Sequence, residues 1–562
     1  MKKYFFLLIA CVSCNVNAQQ NCVVKDQKPL TLLTAEMKRS VKALKKQTPS
    51  IYYVAYNYSE YERGSVGVQE QGVSYKSTDQ NHVLQVQTRA GSPQMDNTRT
   101  LKKDRTFYNL QVEEVPAIEG DGKAFTTAVW RQTQLSAEEA QQDFNRVRAD
   151  AQTAAQRTDD SPDFTFPPKE TFCRQDEPLN FDLDQLEKML IKASALTQNK
   201  PFVLDSDFSF SYITGSRYFV DSEGTQLKTP IRRARLVYSV EGKISDGSKL
   251  VRTQTYDVLH PSQLPSEEKL LADVTRSIGE LQALTQAPEA DPIMVPAILK
   301  NRAMAVFVHE VLGHRVEGHR QKEDTFGRTF TDKIGKQVVS PILTIVDDAT
   351  LPSFNQIPLR GFYEYDDEGV KARPVTLVEN GILKGFLMSS SPIKGFPKSN
   401  GHGRGEEGRR PVARMGNTRV IASDTVSYEE LEQKLLAEIK SQNKPYGYII
   451  EDLSGGFTIT ETFHPQSFKL TPTLVYRIYP DGKKEVVRGA DMVGTPLVSF
   501  NEIIAAADDY DVFNGSCGAE SGWVPVSGIA PSVLLRKLEI EKTGKTDSKP
   551  PLLPPPNTEE HL

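Results

Sequence analysis

The segment Val308–His319 reads VHEVLGHRVEGH. It places three of the chain's eight histidines within eleven residues, with Glu310 directly after the first. Imidazole nitrogens suit zinc, and a carboxylate beside a ligating histidine can take a proton from water acidified by the metal. The chemistry implied is metal-assisted hydrolysis. In the H-E-x-x-H pattern the two histidines stand about 40° apart around a helix; His309 and His314, at i and i+5, stand about 140° apart. They converge on one ion only if the helix loosens or ends between them, and Gly313 is where the backbone gives most easily. The alternative is a helical surface with ordinary solvated histidines. The apolar run Ala305-Val306-Phe307-Val308 drives the helix into a core, which favours a buried site.

A third donor stands far along the chain, in NGSCGAESGWVPV (514–526), where Cys517 is followed by one glycine and preceded at two residues by another. Glycines let a backbone bring a sulfur close to another element. The competing reading is a lone buried cysteine that packs as a small hydrophobe.

Four motifs in this order, HEVLGHRVEG, ENGILKG, RRPVARMGNT and GSCGAESGWVPV, resemble the TldD/PmbA metallopeptidases over roughly residues 290–540, with a weaker echo at RYFVDSEG (217–224). The resemblance implies one zinc per chain, held by His309, His314 and Cys517, with Glu310 as the base that activates water. It also implies hydrolysis of short or unfolded peptides and assembly as a homodimer or with a paralogue. Arg414, Gly455, Gly456 and Phe457 become candidates for binding substrate. One departure is His319, where the family pattern has aspartate; it is a spare ligand, a neighbour of the ligands or a surface residue.

At 562 residues the chain exceeds one ordinary core, which predicts two domains. With 25% charged and 38% apolar residues it reads as globular, and its net charge of −5 has no extended basic face, so no nucleic-acid partner is expected. Met1-Lys2-Lys3, the apolar stretch Tyr4–Val12 and Val16-Asn17-Ala18 form a signal-peptide pattern over residues 1–18, too short to span a membrane. The protein is expected in the periplasm or secreted; the alternative, from LIAC (8–11), is a lipid anchor on Cys11. Export would let Cys22 and Cys173 pair, leaving Cys517 for metal, with two free thiols as the alternative.

The fold class expected is α+β, with two domains rich in antiparallel sheet and the histidine-bearing helix at the start of the second. The divisions are 19–287, 288–541 and a Pro-rich disordered tail at 542–562, with 286–292 as linker. Helices are predicted at 29–47, from a capping box at Ser136 and Glu139 to about 157 as an exposed flank, from Ser266 to about 284, and at 427–441 from a second capping box. Strands are predicted at 51–62 and 83–88, through Phe208, Phe210 and Tyr212, and as hairpins about Asn380-Gly381 and Asp481-Gly482. The loop SNGHGRGEEGRR (399–410) either clamps a peptide carboxylate or is mobile and solvated. The segment SGGFTIT (454–460) is either fully paired or an edge that accepts a peptide strand. Beside a zinc peptidase stands a second reading, an exported non-hydrolytic binding module with a structural metal, and a third, a subunit active only with a paralogue.

Overall fold

The computed structural model describes residues 20–99, 109–153, 159–175, 177–244, 249–322, 330–458 and 467–543. The signal segment, Cys11 and nearly all of the Pro-rich tail lie outside them. The fold is α+β. A nine-stranded sheet in the N-terminal half is built on two long hairpins, Ile51–Gln69 with Gly72–Ser92 and Val203–Asp221 with Gln226–Lys243, joined edge to edge. These strands run well beyond the predicted 51–62 and 83–88. In the second strand the excess from Gly72 is exposed and mostly polar, which hydrophobic alternation does not mark; in the first, Val66 and Val68 are buried in the core, an alternation broken up in the sequence by Gly64 and Gly67.

One face of that sheet is covered by helices. Lys28–Leu44 buries Leu30, Leu33, Met37 and Leu44, and Glu267–Gln286 buries Leu270, Val274, Ile278 and Leu281, as their spacing predicts. Ser266 caps the latter by accepting from Lys269 N at 3.1 Å. The helix predicted from Ser136 is different: it starts at Lys123 and runs to Thr153. Ser136 lies inside it, buried, donating to Val86 O at 3.2 Å, so its spacing from Glu139 is not a cap. Nor is this helix an exposed flank, because Phe125, Val129 and Ala137 join the core under the sheet. Cys22 and Cys173 form a disulfide with Cα atoms 5.2 Å apart.

In the C-terminal half, Ile293–Leu299 pairs with both Gly447–Thr458 and Val533–Lys542. The latter two connect through Phe468–Ile478 and Ala490–Gly494, so five strands close on themselves. A six-stranded sheet ends in the hairpin Asp511–Ala519 and Gly522–Ala530. The helix Asn301–Val311 lies between the two sheets, so close to the second that a Cβ on Gly528 would meet Ala305 Cβ at 2.9 Å. The hairpin turn at Asn380-Gly381 has φ of 46° and 81°, and Gly482 has φ of 89°, as turn chemistry requires. The helix Tyr428–Ser441 is capped by Ser427 Oγ, which accepts from Glu430 N at 3.2 Å.

The glycine-rich loop 399–410 is not a solvated excursion. His402 and Arg404 are buried, Arg410 donates to Thr98 O at 3.0 Å, and Leu110 N donates to Gly408 O at 2.8 Å. It clasps the two halves together.

Candidate metal centre

The geometry problem set by the i, i+5 spacing is solved by ending the helix. Residues Asn301–Val311 are α-helical, Leu312 caps them, and Gly313–Val316 turns as a 3₁₀ segment, swinging His314 back toward His309. Gly313 is needed there for space rather than for an unusual φ: a Cβ would stand 2.0 Å from Met415 Sδ. The two imidazole rings lie 5.1 Å apart at 84°. Cys517, on the outer strand of the terminal hairpin, points its sulfur between them, 3.0 Å from His309 Nε2 and 3.3 Å from His314 Nε2.

This donor set fits zinc. Tetrahedral bonds of about 2.0–2.1 Å to nitrogen and about 2.3 Å to sulfur put such donors about 3.5 Å apart, so the three need open by only a few tenths of an ångström. His314 and Cys517 are buried, and His309 and Glu310 are half-buried, leaving one side open. Burial disfavours charge on each imidazole, yet the Cys517 sulfur, joined by Glu317 at His314 and by Glu310 at His309, outweighs it and raises both pKa values, His314 to about 10. Burial would likewise push the Cys517 thiol up, but the two rings hold it well below its usual range. The three donors thus favour one another's charged forms, and binding of a divalent cation would release protons from them.

Glu310 lies next to the cluster. Burial raises its carboxyl pKa, and His309 and His314 partly oppose the rise. That shift suits a proton acceptor working near neutral pH. Its side chain runs against the strand Gly447–Thr458, where a Cβ on Gly456 would stand 3.3 Å from Glu310 Cγ and 2.1 Å from Leu470 Cδ2. Gly455, at φ 135°, precedes it. This strand begins at Gly447, earlier than expected. Its first residues pair on both sides; Asp452–Thr458 pair in the described ladders with Phe468–Ile478 alone. The side chain of Phe457, and Ile459 and Thr460, lie outside the described residues.

Behind the three donors stands a support that the sequence reading passed over. Glu317, fully buried, accepts from His314 Nδ1 at 3.3 Å and Arg320 Nε at 2.7 Å. A carboxylate on Nδ1 fixes the ring and leaves Nε2 free toward the sulfur. Burial pushes the Glu317 pKa up, but His314, Arg320 and Arg414 draw it down to about 2. Arg414, expected at the substrate, is instead fully buried behind the site. Its Nη2 donates to Cys517 O at 2.7 Å, its Nη1 to Ser521 Oγ at 3.0 Å and Gly522 O at 3.1 Å, and its Nε stands 3.4 Å from Glu317 Oε1. It straps the cysteine hairpin to the histidine segment, so it cannot also clamp a ligand. The signal was present: glutamate three residues after His314, and an arginine amid apolar Val412, Ala413 and Met415.

His319 is buried with its Nε2 3.7 Å from Glu520, whose carboxylate is bound by Arg320 at 2.7 Å. Glu317, His319 and Glu520 form a second cluster of possible ligands. Arg320 bridges its two carboxylates and supplies the positive charge they would otherwise draw from a cation, and His319 stands beside the ligand His314 through Glu317.

Residues 293–542 match the family model described as the PmbA/TldA metallopeptidase C-terminal domain. A metalloprotease of Methanocaldococcus jannaschii is 27% identical over 355 residues, 62% of this chain and 72% of its own length. A protein named zinc metalloprotease TldD homolog, from Saccharolobus solfataricus, is 28% identical over 313 residues, 54% of this chain and 63% of its own length. Among solved structures, TldE from Thermococcus kodakarensis shares the fold, with a TM-score of 0.62 over 91% of this chain and all of that one at 16% identity.

Proposed function

We propose that this chain, whose residues 293–542 match the PmbA/TldA metallopeptidase C-terminal domain, is a zinc-dependent peptidase acting on short or unfolded peptides in the cell envelope. The observation that carries this reading is the convergence of His309, His314 and Cys517 on one point with Glu310 beside it and one side open. His309, His314 and Cys517 would hold one zinc, which supplies Lewis acidity toward a peptide carbonyl and makes water more acidic.

The protein's own groups do the rest. Glu310, its affinity for protons raised by burial, accepts the proton of the attacking water and returns it to the departing amine. Glu317 keeps the His314 ring in one orientation, and Arg414 keeps the Cys517 carbonyl in place, so the donors need no rearrangement as charge develops. An extended peptide laid along Asp452–Thr458 would pass the Glu310 side chain, and Gly456 leaves the room for it. The signal-peptide pattern and the Cys22–Cys173 disulfide support an exported, oxidising setting. A paired assembly, with a second copy or a paralogue, completes the proposal.

Glu310→Gln keeps size and reach but removes the base. Bound zinc should stay near one per chain while hydrolysis of an unstructured peptide library falls by about 10²-fold or more. Cleavage at the parent rate would leave the non-hydrolytic binding module as the better reading.

A further inference from the structure

The break that lets His309 and His314 converge leaves the helix Asn301–Val311 with open carbonyls at its end. In a continuing α-helix the N–H groups of His314 and Arg315 would close on Glu310 O and Val311 O. Here Arg315 N closes on Leu312 O at 2.9 Å instead. Its side chain takes over both carbonyls: Arg315 Nη1 donates to Glu310 O and to Val311 O, each at 3.2 Å. A cation in that place also suits the negative end of the helix dipole.

The other amino group of the fork leaves the helix altogether. Arg315 Nη2 donates to Ser467 O at 3.3 Å, directly before the strand Phe468–Ile478. That strand pairs with Gly447–Thr458, and Gly456, opposite Leu470 in the ladder, is the residue whose missing Cβ leaves room for the Glu310 side chain. One guanidinium therefore spans from the backbone of Glu310 to the root of the strand pair that flanks the Glu310 side chain.

The span is held at its own end too. Arg315 O accepts from Gln321 Nε2 at 2.9 Å, and Gln321 Oε1 accepts from Thr331 Oγ1 at 2.8 Å. Just beyond, Val316 O accepts from Leu387 N at 2.9 Å and Gly318 N donates to Leu387 O at 2.8 Å. Arg315 is 2% exposed and among the largest fully buried side chains. Burial and Arg320 lower its pKa to about 10 while Glu310 opposes the fall, so it stays charged at neutral pH. Burying a cation is costly, and an apolar side chain would fill the same space without that cost. What only the guanidinium supplies is the geometry it holds.

We propose that Arg315 is a positioning residue for the metal centre: by holding Glu310 O and Val311 O and tying them to Ser467, it keeps the helix ended before His314. Both imidazoles then face Cys517, and Glu310 stays against the strand pair. Without the fork, a helix running on through His314 and Arg315 would satisfy the same carbonyls. It would carry His314 about 140° around the axis from His309, out of reach of a shared ion. The inference rests on the zinc reading of His309, His314 and Cys517.

Metal binding by the full-length protein tests it without turnover. Arg315→Met keeps an apolar stem and loses the donors; Arg315→Lys keeps the charge but has no fork to hold Glu310 O and Ser467 O at once. Zinc affinity, by chelator competition, should fall about 10- to 100-fold in the methionine variant and about tenfold in the lysine variant. With cobalt(II) at saturation, the visible and thiolate charge-transfer bands of both should differ from the parent's, because one imidazole has moved. Leu435→Ala, in a separate core cluster, is the control: it should lower the melting temperature and leave zinc affinity and the cobalt bands as in the parent. Zinc affinity within twofold of the parent in the arginine variants, or weaker zinc with the parent's cobalt bands, overturns the proposal. So does a loss of zinc in Leu435→Ala as large as theirs. If the methionine variant does not fold, the lysine variant decides by the same criteria. A parent chain that binds no zinc sinks the metal reading itself, and hydrolysis of peptides is scored separately on the parent.

Discussion

Replacing Glu317 by glutamine tests whether the buried carboxylate tunes the metal donors or merely fills the core. At 0% exposure and a pKa near 2, Glu317 carries a full negative charge in the folded chain, shared among His314 Nδ1, Arg320 and Arg414. Glutamine keeps the shape, and its one oxygen can still stand where Oε2 accepts from both His314 and Arg320, but the negative charge is lost and its amide nitrogen then faces Arg414 Nε, donor to donor. Losing the carboxylate partner of a ligating ring typically costs 10- to 100-fold in metal affinity, so zinc should bind about that much more weakly as the charge on the His314 acceptor disappears. Stability should fall as well. Breaking a buried ion pair costs about 3–5 kcal/mol when one charge is stranded, but Arg320 keeps Glu520, and Arg414 keeps Cys517 O, Ser521 and Gly522. The loss should therefore lie at the lower end of that range. A depressed pKa also fixes the sign with pH. The Glu317 contribution is complete above its ordinary value of 4.5 and fades as pH falls toward about 2, so the gap between parent and variant should narrow with acid. Zinc affinity by competition with a chromogenic chelator at pH 7.5, beside thermal melts of apo and loaded protein, separates the two effects. Zinc affinity within twofold of the parent, with stability reduced, would refute an orienting role and leave Glu317 a structural acid.

Three further outcomes follow from the same geometry. Cys517→Ser leaves two imidazoles and a poor oxygen donor, so zinc content measured by emission spectroscopy should drop sharply from one per chain; full retention would remove Cys517 from the site. Asp96→Asn disrupts the buried pair with Arg89, 2.8 Å apart, at a cost of about 3–5 kcal/mol at pH 7. Burial raises the Asp96 pKa, but Arg89, Tyr52 and Thr98 bring it below 3.8, so its stabilisation is present above that value and lost as pH falls beneath it; chemical denaturation at pH 7 and pH 3 should show the gap closing, and a pH-independent gap would contradict the assignment. Mass spectrometry of protein from the cell envelope should find a chain beginning at Gln19 with Cys22 and Cys173 resistant to alkylation until reduced; an intact Met1 or a lipid on Cys11 would overturn soluble export.

What was legible in the residues was local. The spacing of Leu270, Val274, Ile278 and Leu281 names a helix face because every buried contact repeats each turn, and Asn380-Gly381 names a hairpin because few other residues accept its φ values. Ser136 with Glu139 misled for the same reason: a capping pattern is two residues wide, and thirteen helical residues before it, anchored by Phe125 and Val129, outweigh it. The clasp made by residues 399–410 was hidden because its hydrogen bonds run to Thr98 and Leu110, some three hundred residues away.

The centre itself was read at the level of residue type and not of mechanism. His309, His314, Glu310 and Cys517 stand out because few functions need those side chains, whereas Glu317 and Arg414 look like ordinary charges until they are seen fully buried. An arginine in an apolar run predicts two things, a solvent-seeking tip or a buried strap, and the choice depends on whether acceptors wait at its end. Here they do, and two are backbone carbonyls of the cysteine hairpin, including that of Cys517 itself. Carbonyls carry no side-chain identity, so no reading of residue types could have found them.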